Sequence, residues 1–156
     1  MSRKISVIGG GGKITTAVLL ELLYGDARTP YLFSLFGHNP HKIARARALA
    51  ARMEAPNARV EAADSLDASL EGAELVLYCA SYGLSDFEGY RALGVQHGAF
   101  LMGIAERMTR LCSDAWLLIV TNPPDIPAAA VHMRFGLERV VGLCNASTFT
   151  QKVLAA

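Results

Sequence analysis

The stretch "KISVIGGGGKITTAVLL", residues 4–20, decides how the rest of the chain is read. Its first part, "KISVIG" (4–9), is rich in apolar and β-branched residues and ends in glycine, the pattern of a buried strand. Its continuation, "ITTAVLLELLYG" (14–25), has helical apolar spacing and a stop signal at Gly25. Between the two stand Gly9, Gly10, Gly11 and Gly12. A strand, a glycine turn and a helix in that order form the place where a dinucleotide fold holds a pyrophosphate. Glycine permits positive φ and close backbone approach, and a helix N-terminus offers free N–H groups with partial positive charge. In a G-x-G-x-x-G turn, Gly9 and Gly11 fill the first two positions and Ile14 stands at the third. The third glycine serves helix–strand packing, so Ile14 is expected to shift the helix rather than abolish binding. A plain tight turn is the bland alternative. The expectation is cofactor binding through Gly9, Gly10, Gly11, Gly12, Lys13 and Ile14.

Beyond this stretch, short apolar runs alternate with helical patterns. "YLFSLFG" (31–37) reads as a second strand, and "NPHKIARARALAARM" (39–53) as a helix with Asn39 as N-cap and Pro40 at its first position. "ARVEA" (58–62) is a weak third strand, and "DASLEG" (67–72) a short helix with Asp67 as cap. "AELVLYCAS" (73–81) is a fourth strand. "SYGLSDFEGYRALG" (81–94) reads as a loop in which helix resumes near Gly89. "VQHGAFLMGIAERMTRLC" (95–112) is a long helix with a stripe at Phe100, Ile104, Met108 and Leu111. "AWLLIVT" (115–121) and "RVVGLC" (139–144) are strands five and six, flanking a helix over 125–136 capped by Asp125 and ended by Gly136. "STFTQKVLAA" (147–156) starts another helix. Near-continuous apolar strands between helices imply a parallel sheet covered on both faces. The fold class is therefore α/β, a Rossmann-like doubly wound sheet, in one dinucleotide-binding domain over 1–156.

Composition excludes several classes. The 156 residues suffice for one domain, and 52% hydrophobic against 19% charged excludes disorder. Fifteen basic and fourteen acidic residues give +1, no basis for nucleic-acid or membrane binding. No apolar run approaches the roughly 18 residues of a membrane span. Cys79, Cys112 and Cys144 are odd in number and widely spaced, with no CxxC, which points to a reducing, cytoplasmic setting.

In open α/β sheets ligands bind at the carboxyl ends of strands. The second strand should end in an acid that grips the ribose, but Gly37 stands there. Asn39 could bond a ribose or simply cap its helix, and His38, Lys42 or Arg45 could face a 2′-phosphate, so NADP stays open beside NAD. "CAS" ends the fourth strand, "TNPPD" the fifth and "CNAS" the sixth. They put Ala80, Ser81, Thr121 and Asn122 on the cofactor side, with a cis peptide expected before Pro123. Asn122 bears either on a ligand or on the helix after it.

"CSDAWLLIVTNPPDI" followed by "ERVVGLCNAS" resembles glycoside hydrolase family 4, the NAD-dependent 6-phosphoglycosidases, and "VIGGGGKITTAVLL" is similar to that family's glycine turn. Malate and lactate dehydrogenases are structural cousins, and "TNPPDI" resembles their Asn-Pro-x-Asp turn. The resemblance implies glycosidase chemistry without the usual carboxylate pair. Bound NAD oxidises the sugar at carbon 3, a base takes the carbon 2 proton, the aglycone leaves, and water and hydride return. A divalent metal, typically manganese, stabilises the enediolate. By this resemblance Cys144 is the metal ligand, Asn145 a sugar contact that favours 6-phospho-β-glucosides, and Asn122 a substrate contact near the nicotinamide. Arg91 is the remaining candidate for the sugar phosphate, with a solvated helix charge as its ordinary reading.

One thiol does not make a metal site, which needs about three protein ligands. The family's His ligand and Tyr base belong to a C-terminal half absent from these residues, so the chain is expected to bind nucleotide weakly and catalyse nothing alone. His97 could reach the cleft, and His132 is read as surface or packing. The expected partner is a small glycoside or sugar phosphate, with self-association through apolar surface. A malate/lactate-type oxidoreductase domain and a non-catalytic dinucleotide-binding module are the alternatives.

Overall fold

The computed structural model describes residues 2–25, 29–53, 57–80 and 87–143. Six strands and five helices alternate along them. They run β1 (Arg3–Ile8), α1 (Lys13–Gly25), β2 (Tyr31–Phe36), α2 (Pro40–Arg52), β3 (Ala58–Ala62) and α3 (Leu66–Leu70). Then come β4 (Leu75–Tyr78), α4 (Phe87–Leu111), β5 (Trp116–Ile119), α5 (Asp125–Phe135) and β6 (Val140–Gly142). All strand pairs are parallel, and their order across the sheet is β3-β2-β1-β4-β5-β6. That order reverses direction between β1 and β4, the arrangement of a doubly wound dinucleotide fold.

Side-chain alternation along each strand divides the core. Ile5 and Val7 of β1, Phe33 and Leu35 of β2, and Leu77 of β4 face Leu19 of α1 and Ile43, Ala46 and Ala50 of α2. Ile8, Val76, Tyr78, Leu117 and Ile119 point to the other face, against Leu101, Ile104, Ala105 and Met108 of α4. Strands buried on both faces carry few polar residues, which is why the apolar runs are so plain in the sequence. Ser6 and Ser34 are the exceptions. They sit where α3 crosses the sheet, and the Ser69 hydroxyl lies 2.7 Å from that of Ser6 and donates to the Ser34 carbonyl at 3.1 Å.

Three expectations about local structure change. Ser65, not Asp67, caps α3, accepting from the Ala68 N–H at 3.0 Å. Asp67 instead meets Arg107 of α4 at 2.8 Å. Pro124 occupies the N-cap of α5 with no side-chain bond, so Asp125 is its first residue and supplies charge to the positive helix end rather than a cap. Helix α4 starts at Phe87, and its buried face runs through His97, Leu101, Ile104, Ala105 and Met108, while Phe100 and Leu111 sit half-buried beside it. Other helix ends agree with the sequence. Asn39 caps α2 with Pro40 next to it, and Gly136 closes α5 at φ 65°. The helix expected over 147–156 lies outside the described residues.

Candidate functional site

Register brings the strand ends into one row. Ile8 pairs with Phe36 and Tyr78, Tyr78 with Ile119, and Ile119 with Gly142. The segments just past these residues therefore lie along a single edge of the sheet: the glycine turn, Gly37 to Asn39, Cys79–Ala80, Thr121–Asn122, and Leu143.

The glycine turn is built against its neighbours. The N–H groups of Gly9 and Gly10 both donate to the Phe36 carbonyl at 2.9 Å. Gly9 has φ +95°, and a Cβ on it would stand 2.5 Å from the Ala80 nitrogen. Only glycine fits there, because both the backbone conformation and the space refuse a side chain. Gly10 is buried against Leu35 of β2, so it packs the turn rather than lining the cleft. A Cβ on Gly11 would strike Lys42 at the start of α2. Ile14, expected to shift the helix, is 38% exposed and lines the cleft.

The cleft above the turn holds about 600 Å³ and is lined by Gly9, Gly11, Gly12, Lys13 and Ile14, by Gly37, His38, Asn39 and Lys42, and by Cys79 and Ala80. The first turn of α1 leaves N–H groups without intrahelical partners at this cleft. A pyrophosphate needs such donors and close backbone approach, and both are present, so the residues fit a dinucleotide. Asn39 engages its Oδ1 with the Lys42 N–H at 3.0 Å, so its capping role is occupied while it still borders the cleft.

Thr15 escapes a reading of the sequence, yet it ties the turn together. It is fully buried, and its hydroxyl donates to the Gly9 carbonyl at 2.9 Å and lies 3.7 Å from the Cys79 sulfur. A hydroxyl in the first turn of an otherwise apolar helix is the signal that could have found it. Burial pushes the Cys79 thiol up to about 11, only partly offset by the Thr15 hydrogen bond, so it is an unreactive space-filler. Cys112 is likewise buried and raised to about 11.

Farther along the edge, the Thr121 hydroxyl donates to the Ala80 carbonyl, locking the end of β5 to the end of β4. The Asn122–Pro123 peptide is cis, as expected, and Asn122 is half-buried beside it. Thr121 and Asn122 stand outside the lining of the 600 Å³ cleft, two strands from the turn. His97 does not line that cleft. It is 2% exposed beneath the edge, with Nδ1 2.6 Å from the Tyr78 hydroxyl and the rings edge to face. Burial holds its imidazole below the usual pKa, so it is neutral near pH 7. His132 is exposed at the end of α5, its Nδ1 2.9 Å from the Leu137 carbonyl.

Ser81, Cys144 and Asn145 lie outside the described residues, as does the side chain of Arg91, whose backbone is in α4. Among the described residues no three His, Cys, Asp or Glu side chains gather to hold a metal, so these residues by themselves do not fit one. Nor is any described helix long and apolar enough to cross a membrane.

Comparison with known proteins gives both sides of this picture. The sequence profile for family 4 glycosyl hydrolases matches residues 78–156. The 6-phospho-beta-glucosidase of Escherichia coli (strain K12) is 32% identical over 59 residues, 38% of this chain and 12% of that protein. The malate dehydrogenase of Methanothermobacter marburgensis is 27% identical over 146 residues, 91% of this chain and 45% of that protein. A solved 6-phospho-beta glucosidase from Thermotoga maritima, determined with NAD and glucose-6-phosphate, superposes with a TM-score of 0.84 at 19% identity. That match covers 97% of this chain and 42% of the other. The chain thus spans less than half the length of each of these relatives.

Proposed function

Because the chain belongs to glycosyl hydrolase family 4, we propose that it forms the nicotinamide-dinucleotide-binding part of a glycosidase acting on 6-phospho-β-glucosides. One observation carries the reading: the turn that fits a pyrophosphate shares its sheet edge with Asn122 and with the strand that leads into Cys144 and Asn145. When bound, the dinucleotide supplies a hydride acceptor for carbon 3 of the sugar, which acidifies the proton on carbon 2. The chain's own residues bind and orient. The glycine turn and the first N–H groups of α1 hold the pyrophosphate. The Thr121–Ala80 bond fixes the edge on which Asn122 offers its amide to the sugar. Asn145 touches the sugar beside it, and Arg91 takes the 6-phosphate. Cys144 is one donor to a divalent metal, manganese by family resemblance, whose other donors come from outside the described residues. The buried, unpaired Cys79 and Cys112 support a cytoplasmic protein, with self-association through exposed side chains such as Val95, Ile126 and Met133.

The test is turnover of a 6-phospho-β-glucoside in deuterated water by the protein carrying this domain. Removal and return of the carbon 2 proton leaves deuterium at carbon 2 of the product, and turnover depends on dinucleotide and metal. Direct hydrolysis with no label at carbon 2 overturns the reading. Cys144→Ser abolishes metal-dependent turnover, and unchanged activity removes Cys144 as a ligand. A malate- or lactate-type oxidoreductase domain is the second reading, favoured by the 91% coverage of the malate dehydrogenase match. It predicts oxidation of a 2-hydroxy acid with no metal requirement.

A further inference from the structure

The cleft over the glycine turn has an uneven charge, and we propose that it prefers the 2′-phosphorylated dinucleotide, NADP, over NAD. This rests on the dinucleotide reading of the same cleft. Where NAD is selected, an acid near the end of the second strand accepts hydrogen bonds from the ribose hydroxyls, and a carboxylate there repels a 2′-phosphate. Here β2 ends at Phe36 and is followed by Gly37, His38 and Asn39. Among the described residues no Asp or Glu lines the cleft, while Lys13, His38 and Lys42 do. Asp64, just beyond the end of the neighbouring β3, is exposed and stands outside that lining.

The backbone and Cβ of Lys42 are held beside the turn, and its side chain is exposed. Its N–H is bound by the capping oxygen of Asn39, and its stem lies against Gly11, close enough that a Cβ on Gly11 would strike it. Its side chain therefore leaves a fixed Cβ beside the turn, lining the strand-2 side of the cleft. Asn39 accepts the helix-cap bond at Oδ1 and, being neutral, places no charge that would repel a phosphate. The side of the cleft that should recognise ribose hydroxyls thus offers donors and positive charge, the complement of a phosphate dianion.

Gly37 gives a direct means of reversal. A Cβ added there would meet Gly10 N at 3.6 Å, Ile43 Cδ1 at 3.7 Å and Gly9 C at 3.9 Å, all ordinary contacts. Unlike Gly9, Gly10 and Gly11, it has room for a side chain.

Titration calorimetry of the full chain with NAD and with NADP at low salt tests this. NADP is expected to bind at least about tenfold tighter, the factor of one charge-assisted hydrogen bond, and to lose that lead as salt rises. Lys42→Ala should lower NADP affinity about tenfold more than NAD affinity. Gly37→Asp should reverse the preference. NAD binding as tightly as NADP, or a ratio untouched by Lys42→Ala, overturns the proposal while the dinucleotide reading survives. Binding of neither nucleotide overturns both. Circular dichroism of each variant separates lost preference from lost fold, and Lys42→Ala, a change of an exposed side chain, remains decisive if Gly37→Asp does not fold.

Discussion

Among single residues, the contrast between Gly9 and His97 shows what a sequence can carry. Gly9 was legible because a turn between a strand and a helix needs glycine for local reasons, and the structure adds only the neighbour, Ala80, that enforces it. The Tyr78–His97 pair was not legible, because its partners lie nineteen positions apart and meet only once α4 lies on β4. Thr15 with Cys79, 64 positions apart, is the same case. The histidine pair has a pH signature. His97 has an ordinary pKa of 6.5, lowered in the fold by burial. Above 6.5 it is neutral in both folded and unfolded chains and adds no pH dependence. As pH falls below 6.5 the unfolded chain takes up the proton first, so stability declines toward the lower folded value. Thermal unfolding of the wild type should lose ground to His97→Gln as pH drops from 7 to 5. Parallel pH dependence in the two proteins would contradict this assignment.

Among the elements, helix ends separate what is ambiguous from what is plain. Asn39-Pro40 allows one reading of the start of α2, and the structure agrees with it. Before α3, Ser65 and Asp67 are both good caps, and local sequence does not choose between them. The choice is made by α4, whose Arg107 draws Asp67 outward into an ion pair. Ser65→Ala should therefore cost about 1 kcal/mol, as lost caps do. Asp67→Ala, which breaks only an exposed pair, should cost no more than about 0.5 kcal/mol. Denaturant midpoints of the two variants decide it, and the reverse order would return the cap to Asp67. The beginning of α4 was read near Gly89 and lies at Phe87; residues 81–94 carry Gly, Ser and Asp without an apolar period, which blurs that boundary by two residues.

In the molecule as a whole, the parallel, doubly wound sheet followed from alternation of β and α elements, because parallel neighbours joined by helices have few topologies, while the order β3-β2-β1-β4-β5-β6 comes from the structure. The site was half legible. Gly9, Gly11, Gly12, Lys13, Asn39 and Ala80 converge on the cleft, and Thr121 and Asn122 share its edge. Cys144 and Asn145 rested on family resemblance; His38 and Lys42 were candidates for a 2′-phosphate from the sequence and both line the cleft, whereas Arg45, named with them, does not.

The floor of the turn has a consequence in time. β1 pairs with β2, close by in the chain, but its other side waits for residues 75–78, and Ala80 arrives with them. Until that seam closes, the glycine turn has a roof and no floor. A ligand lodged in the cleft acts as a clasp across two chain segments far apart in sequence, since it binds only where both have met. Amide protons along the β1–β4 seam, Ile5 to Ile8 and Val76 to Tyr78, should exchange with deuterium more slowly once dinucleotide is added. The amides of β6, at the far margin of the sheet, should keep their original clock.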